Sequence, residues 1–190
     1  MLIQYSSVIL NVWALWWAYW LIMAAVNRKP TLRRESQASY LSWRLLTVAA
    51  WIFLLCPWSL AGLGTRWLPA TDFWGRLGLG LAAGGLLYTV WARVVLGSNW
   101  SSTVTVKDRH QLIVAGPYRF TRHPIYTGLI TAAVGTALAS GEVHAVFGVG
   151  FLVWAFELKL RVEERFMRDQ FGKVYVDYCA TVKRLVPFIY

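Results

Sequence analysis

The sequence predicts an all-α integral membrane protein of about five transmembrane helices, and three observations carry that prediction. Of the 190 residues, 57% are hydrophobic and 15% are charged, whereas a soluble domain is about 45–50% apolar and about 25% charged. Apolar runs of about 20 residues, the length that crosses roughly 30 Å of hydrocarbon, recur along the chain. Twelve Trp add the third, because indole collects where membrane meets water. The same composition excludes a water-soluble globule and a disordered chain. Two Cys, Cys56 in an apolar run and Cys179 in a charged tail, cannot build a disulfide framework. No Pro-rich, Ser-rich or repeated segment divides the chain. Residues 1–190 therefore read as one domain, with three helices in 1–96 and a loop, a helical hairpin and a tail in 97–190.

The first span runs from Ile3 to Val26. It has no basic leader and no small-residue cleavage site, so it reads as a retained helix. Trp13, Trp16, Trp17 and Trp20 recur at i, i+3, i+4 and i+7, a stripe suited to helix packing and not to a ligand box. The second span is placed at Leu45–Leu63, with Pro57 kinking or ending it early. The third covers Phe73–Leu96, where Gly80 and Gly84, with Gly78 and Ala82, offer small-residue spacings for close backbone approach. Arg93, near its inner end, is expected to snorkel to the headgroups. Ile125–Ala139 and Val143–Leu158 form a tight hairpin around Ser140, Gly141 and Glu142, with His144 a structural group at its outer end.

Sixteen of the nineteen Lys and Arg fall in residues 27–44, residues 97–124 and the tail from Lys159 onward. The positive-inside rule then sets the N-terminus outside and the C-terminus in the cytoplasm, and the lack of a long soluble N-terminal domain leans towards a prokaryotic cytoplasmic membrane. Net charge is +10, and in so hydrophobic a chain it points to anionic lipid, with no nucleic-acid partner.

Two inner-face segments depart from a generic bundle. His110–Tyr126 reads HQLIVAGPYRFTRHPIY, which concentrates two His, two Tyr, two Arg and two Pro in one loop. Pro124 suits the first turn of the following helix, where a missing N–H costs nothing. The second segment carries Glu157, Lys159, Arg161, Glu163 and Glu164 where the last span leaves the membrane. Lys159 and Glu163 stand at i, i+4 on one helix face. They form either a surface ion pair worth a few tenths of a kcal/mol or a pair facing ligands, the carboxylate a cation and the ammonium an anion.

These residues resemble the signature of the isoprenylcysteine carboxyl methyltransferase family, whose loop pattern is shared by phospholipid N-methyltransferases. His110, Gly116 with Tyr118, and Arg122-His123-Pro124-Ile125-Tyr126 match the loop. Glu163-Glu164, Phe171-Gly172, Tyr175, Tyr178 and Arg184 through Pro187 match the tail, and Leu96–Ser101 the lead-in. The resemblance covers the second half of the chain; the first half matches only in being hydrophobic. It implies a cytoplasmic cofactor-binding loop and a C-terminal helix, with S-adenosylmethionine as cofactor. The pocket would be lined by His110, Gln111, Leu112, Ile113, Tyr118, His123, Pro124, Ile125 and Tyr126 and closed by Glu163. Lys159 falls where eukaryotic members carry a substrate-engaging Arg, so Lys159 and Glu163 are the implied catalytic pair, with Lys159 on the substrate. Lys is a point charge without the planar fork of Arg. Thr103 stands where those members have a cofactor-contacting Gln.

The implied acceptor is a lipophilic or prenylated molecule reached from membrane lipid. Methyl transfer is an in-line displacement that depends on positioning and a dry site. A carboxylate acceptor needs no general base, while an amine must be deprotonated. No glycine-rich dinucleotide fingerprint follows a strand, and no Cys/His spacing suggests a metal. Two other readings stay open: N-methylation of a phospholipid or other small lipid, and a non-catalytic lipid-binding membrane protein.

Overall fold

A computed structural model describes residues 2–26, 31–58, 60, 62–100, 105–107 and 112–190. Helices α1 (Leu2–Val26), α2 (Gln37–Leu55), α3 (Asp72–Leu96), α4 (Pro124–Ser140), α5 (Val143–Phe171) and α6 (Lys173–Thr181) dominate it. Four of them, α1, α2, α3 and α5, are long and apolar enough to cross a membrane. The fifth, α4, is apolar but has only 17 residues. Strands β1 (Thr31–Arg34) and β2 (Thr105–Lys107) pair antiparallel, tying the α1–α2 connection to the segment after α3. Extended backbone at a membrane face must find partners, and each segment supplies the other's.

The second span differs from its expected bounds. Helix α2 begins at Gln37, because Ser36 caps it and accepts a hydrogen bond from Ser39 N at 3.3 Å. It ends at Leu55, and Cys56 is extended (φ −86°, ψ 140°) because the residue before Pro57 is pushed out of the helical region. The last span also outruns Leu158, continuing as one helix to Phe171 and stopping at Gly172, whose φ is 54°. Between α4 and α5 the chain reverses at Gly141, a left-handed residue with φ 64°.

Helices α3 and α4 meet backbone to backbone, though not along Gly80 and Gly84. A Cβ at either of those would meet nothing within 4 Å. The seam runs through Gly78, Ala82, Gly85 and Thr89, against Gly128, Ala132, Gly135 and Ala139. Steps of four, three and four residues keep one face of a 3.6-residue helix, whereas Gly80 lies about 200° around from Gly78. A Cβ on Gly85 would fall 2.5 Å from the Gly128 carbonyl oxygen, and one on Gly128 would fall 2.6 Å from that of Gly85.

Helix α1 docks on this pair through its indoles. Trp13 Nε1 donates to Thr136 Oγ1 at 3.0 Å and Trp16 Nε1 to Thr89 Oγ1 at 2.6 Å. Helix α2 packs on α5, where Gly148 lies against Ala50 and Leu54.

The end that carries the α4–α5 turn is closed by backbone contacts. Arg66 Nη1 donates to Ser140 O at 2.6 Å, and Trp67 N to Gly141 O at 2.9 Å. The buried His144 ring sits between Phe53 O (2.5 Å) and Glu142 Oε2 (2.9 Å). At the opposite end, Arg93 does not snorkel: it is fully buried. Its Nη1 donates to Gly97 O at 2.7 Å, its Nη2 to Met23 O at 3.2 Å, and its guanidinium lies 4.4 Å from the Trp100 ring centroid. The C-terminal carbonyls of α1 and α3 supply both acceptors and the negative dipole ends that a buried cation needs.

The seam separates two glycine substitutions that sequence alone would rank together. Gly85→Leu should cost at least about 2 kcal/mol through overpacking against backbone. Gly84→Ala should be neutral or gain up to about 1 kcal/mol from helix propensity. Thermal unfolding in detergent measures both, and equal losses would refute the seam.

Candidate functional site

Site construction starts where the C-terminal tail meets the loop before α4. Arg122 N donates to Lys183 O at 2.8 Å, and His123 N to Arg184 O at 3.2 Å. Thr127 Oγ1 donates to Leu185 O at 2.7 Å. A short 3-10 turn over Gly116–Arg119, opened by Gly116 at φ 59°, buries Tyr118. Tyr178 OH then donates to Tyr118 O at 2.6 Å. Burial pushes the phenols of Tyr118 and Tyr178 up, so both remain neutral donors.

Of the adjacent Glu163 and Glu164, the second is wholly buried. Arg122 Nη2 reaches it at 2.8 Å, Arg184 Nη2 at 2.9 Å, Arg168 Nη2 at 3.2 Å and His123 Nε2 at 3.4 Å. Arg122 also donates through Nη1 to Val182 O and Cys179 O, and Arg184 Nη1 to Glu157 Oε1 at 3.0 Å. The hydrogen bonds to Glu164 raise the pKa of Arg184 still further, so its charge is permanent. This cluster is structural: Glu164 holds loop, helix and tail together.

Glu163 instead faces a cavity of about 500 Å³. Tyr126 OH donates to Glu163 Oε1 at 2.5 Å, and His123 Nδ1 lies 3.5 Å from Glu163 Oε2. Lys159, one turn earlier on α5, also lines the cavity; its Nζ lies 4.3 Å from the Trp43 ring centroid and 5.6 Å from that of Tyr126. Leu112, Ile113, Tyr118, Pro124 and Ile125 complete the sequence-predicted lining. His110, Gln111 and Thr103 lie outside the described residues. No group of three or more His, Cys, Asp and Glu among the described residues could hold a metal.

The opposite wall is aromatic and comes from the first half of the chain. Trp16, Trp17, Trp20, Trp43 and Trp51 line it, joined by Trp100. The tryptophan stripe of α1 thus packs and lines the cavity at once, which corrects its reading as a packing face alone. Trp16 stacks on Trp20 at 4.6 Å between centroids. Trp43 lies before the expected span Leu45–Leu63, because α2 begins at Gln37. Its signal is the repeat Trp43, Thr47, Ala50, Leu54 on one face of α2. Trp43 Nε1 donates to Glu35 Oε2 at 2.9 Å, which fixes the indole beneath Lys159.

Two neighbouring charges therefore have unequal weight. Glu164→Gln, which strands buried guanidiniums, should destabilise the protein by about 3–5 kcal/mol. Arg168→Ala, at a side chain 51% exposed, should cost no more than about 1 kcal/mol. Thermal melts of the two variants provide the comparison, and a mild Glu164 variant would remove the carboxylate from its central place.

A probable protein-S-isoprenylcysteine O-methyltransferase of Oryza sativa subsp. indica is 31% identical over 123 residues, covering 62% of this chain and 64% of that one. The protein-S-isoprenylcysteine O-methyltransferase of Dictyostelium discoideum is 32% identical over 97 residues, covering 50% and 41%. The chain spans less than two thirds of the length of these curated relatives. Its fold is similar to that of the eukaryotic intramembrane Ras methyltransferase, isoprenylcysteine carboxyl methyltransferase, with a TM-score of 0.52 at 22% identity over 80% of this chain and 52% of that one. Residues 74–174, which carry nearly all of α3, the loop, α4, α5 with Lys159, Glu163 and Glu164, and the first two residues of α6, match the description "Phospholipid methyltransferase". With more than half of its length matched, the chain belongs to the phospholipid methyltransferase family.

Proposed function

We propose that the protein transfers a methyl group from S-adenosylmethionine to the carboxylate of an isoprenylated cysteine or a similar lipophilic acid. The observation that carries this reading is the shared cavity, in which Glu163 and Lys159 stand one helical turn apart against an aromatic wall. The names of the relatives support the acceptor class.

The residues present fit the cofactor. Its cationic sulfonium and amino groups call for a carboxylate and aromatic faces, and Glu163 offers the first while Tyr126 and Tyr118 offer the second. Glu163 is itself held by Tyr126 and His123, so its orientation is set before any ligand arrives. When bound, S-adenosylmethionine supplies an electrophilic methyl carbon; a carboxylate oxygen forms the new bond as the methyl–sulfur bond breaks, and a neutral thioether leaves. No proton moves, so the chain needs no general base. Lys159 steers and orients the anionic acceptor, and the indoles of α1 and α2 hold its tail and exclude water.

N-methylation of a phospholipid is the second reading, favoured by the family description. It requires an amine acceptor, whose protonated form the Lys159 ammonium would repel. A farnesylated cysteine analogue with a free carboxylate should be methylated and phosphatidylethanolamine should not; preference for the amine lipid would reverse the assignment.

Glu163→Gln should weaken S-adenosylmethionine binding at least tenfold by isothermal titration, about 1.4 kcal/mol. Lys159→Ala should depress turnover of the farnesylated analogue more than cofactor affinity, and Lys159→Arg should retain or improve turnover. Unchanged affinity in the Glu163 variant would return that residue to a surface role. If the unaltered protein binds no cofactor, the protein is instead a lipid-binding scaffold.

We also propose an outside N-terminus and a cytoplasmic site, supported by the basic residues that gather at the cavity end of the bundle. In a variant without Cys56 and Cys179, a cysteine at Thr65 should label from outside intact cells and one at Lys173 should not. Equal labelling would defeat this topology.

A further inference from the structure

A second concavity, of about 570 Å³, lies on another face of α4 and α5, under the C-terminal tail. The cavity of the proposed reaction takes Phe156, Lys159 and Glu163 from α5; this groove takes Val153, Glu157 and Arg161. At 100° per residue the two sets are about 120° apart around the helix. The groove is therefore separate from the methyl-transfer site.

Its lining is graded along the membrane normal. Counting from Val143, about 20 residues at 1.5 Å each cross the hydrocarbon, which brings the polar boundary close to residue 162 of α5. Glu157 and Arg161 stand at that boundary, while Val153 lies about 12 Å deeper than Arg161. Ile130 of α4 and Val186 of the tail continue the apolar part. Val153 and its neighbour Trp154 are exposed, at 41% and 57%, so the deep end opens on the surface that faces acyl chains.

The shallow end favours an anion. Glu157 engages Arg161 through Nε at 3.1 Å, and the Arg161 side chain is still 66% exposed. Arg184 and Tyr190 OH also reach Glu157, at 3.0 and 3.3 Å. Across this cluster and its continuation to Glu164, the guanidiniums of Arg122, Arg161, Arg168 and Arg184 face two carboxylates. The balance is positive at headgroup depth, directly above an apolar slot.

We propose that this groove binds one anionic phospholipid, with its phosphate on Arg161 beside the Tyr190 hydroxyl and one acyl chain along Ile130, Thr131, Val153 and Val186. Such a lipid fastens the tail, because Leu185, Val186 and Tyr190 form one wall of the groove and Arg184 carries the connection to Glu164. It is a structural ligand at the membrane boundary, not the methyl acceptor.

Native mass spectrometry of the whole protein in dodecyl maltoside tests this, with phosphatidylglycerol and the diacylglycerol of matching chains as probes. One phosphatidylglycerol should be retained, with diacylglycerol at least tenfold weaker. Arg161→Ala should weaken phosphatidylglycerol at least tenfold without changing diacylglycerol, and Thr131→Trp should block the groove to both. Excess S-adenosylmethionine and the farnesylated cysteine analogue should displace nothing. Arg161 is exposed, so its loss leaves the fold intact, as a thermal melt will verify. Equal retention of the two probes, unchanged phosphatidylglycerol binding in Arg161→Ala, or displacement by the farnesylated analogue would each overturn the proposal.

Discussion

The whole loop-and-tail end of the molecule depends on one buried carboxylate. Glu164 stands on α5 beyond the last apolar turn, yet it has no exposure to water. Carrying it there is tolerable only because three guanidiniums and an imidazole converge on it, from the loop before α4, from α5 itself and from the tail. Each of those partners is then committed. Arg122 extends from Glu164 to the carbonyls at the end of α6, and Arg184 from Glu164 to Glu157. The backbone pairing of Arg122 and His123 with Lys183 and Arg184 follows the same line. Charge burial at one residue thus decides where His123 sits, and His123 in turn flanks the carboxylate that faces the cavity.

The membrane imposes the second constraint. Between helices in lipid there is little hydrophobic drive, so close packing must come from shape and hydrogen bonds. The α3–α4 seam meets this with small residues and the α1 contacts meet it with indole N–H groups on Thr89 and Thr136. These devices make α1, α3 and α4 one tight unit, and α2 with α5 another. The cavity lies where the aromatic faces of α1 and α2 meet α4 and α5.

Much of this was legible in the sequence, and the failures share a cause. Composition and run length gave the helical membrane class, and the loop motif with its tail gave nine residues that the fold gathers around one cavity. Spacing could not say which of Glu163 and Glu164 points inward, since neighbours on a helix differ by about 100° and the deciding partners, Arg122 and Arg184, are remote in sequence. Of the small residues expected to pack closely, Gly78 and Ala82 lie on the seam and Gly80 and Gly84 do not; every glycine in α3 is equally small, and only the opposing helix reveals which face is covered. Arg93 was expected at the headgroups, as an isolated basic residue near a helix end normally is. Its acceptors, Met23 O and Gly97 O, are main-chain atoms that no sequence pattern advertises. Trp43 was lost to a boundary error, because α2 starts with polar residues that hydropathy discounts and Ser36 licenses.

The aromatic wall has an evolutionary corollary. The family match begins at residue 74, so α1 and α2, with Trp16, Trp17, Trp20, Trp43 and Trp51, lie wholly outside it. The half of the cavity built from Tyr118, His123, Tyr126 and Glu163 is tied into the Glu164 network, where drift is costly. The other half consists of side chains on two helices outside that network, where Trp16 is held by Thr89 and Trp43 by Glu35. Exchanging bulk along α1 and α2 can therefore reshape one wall of the cavity while the wall anchored through Glu164 stays fixed, so the two walls of this small protein can change separately.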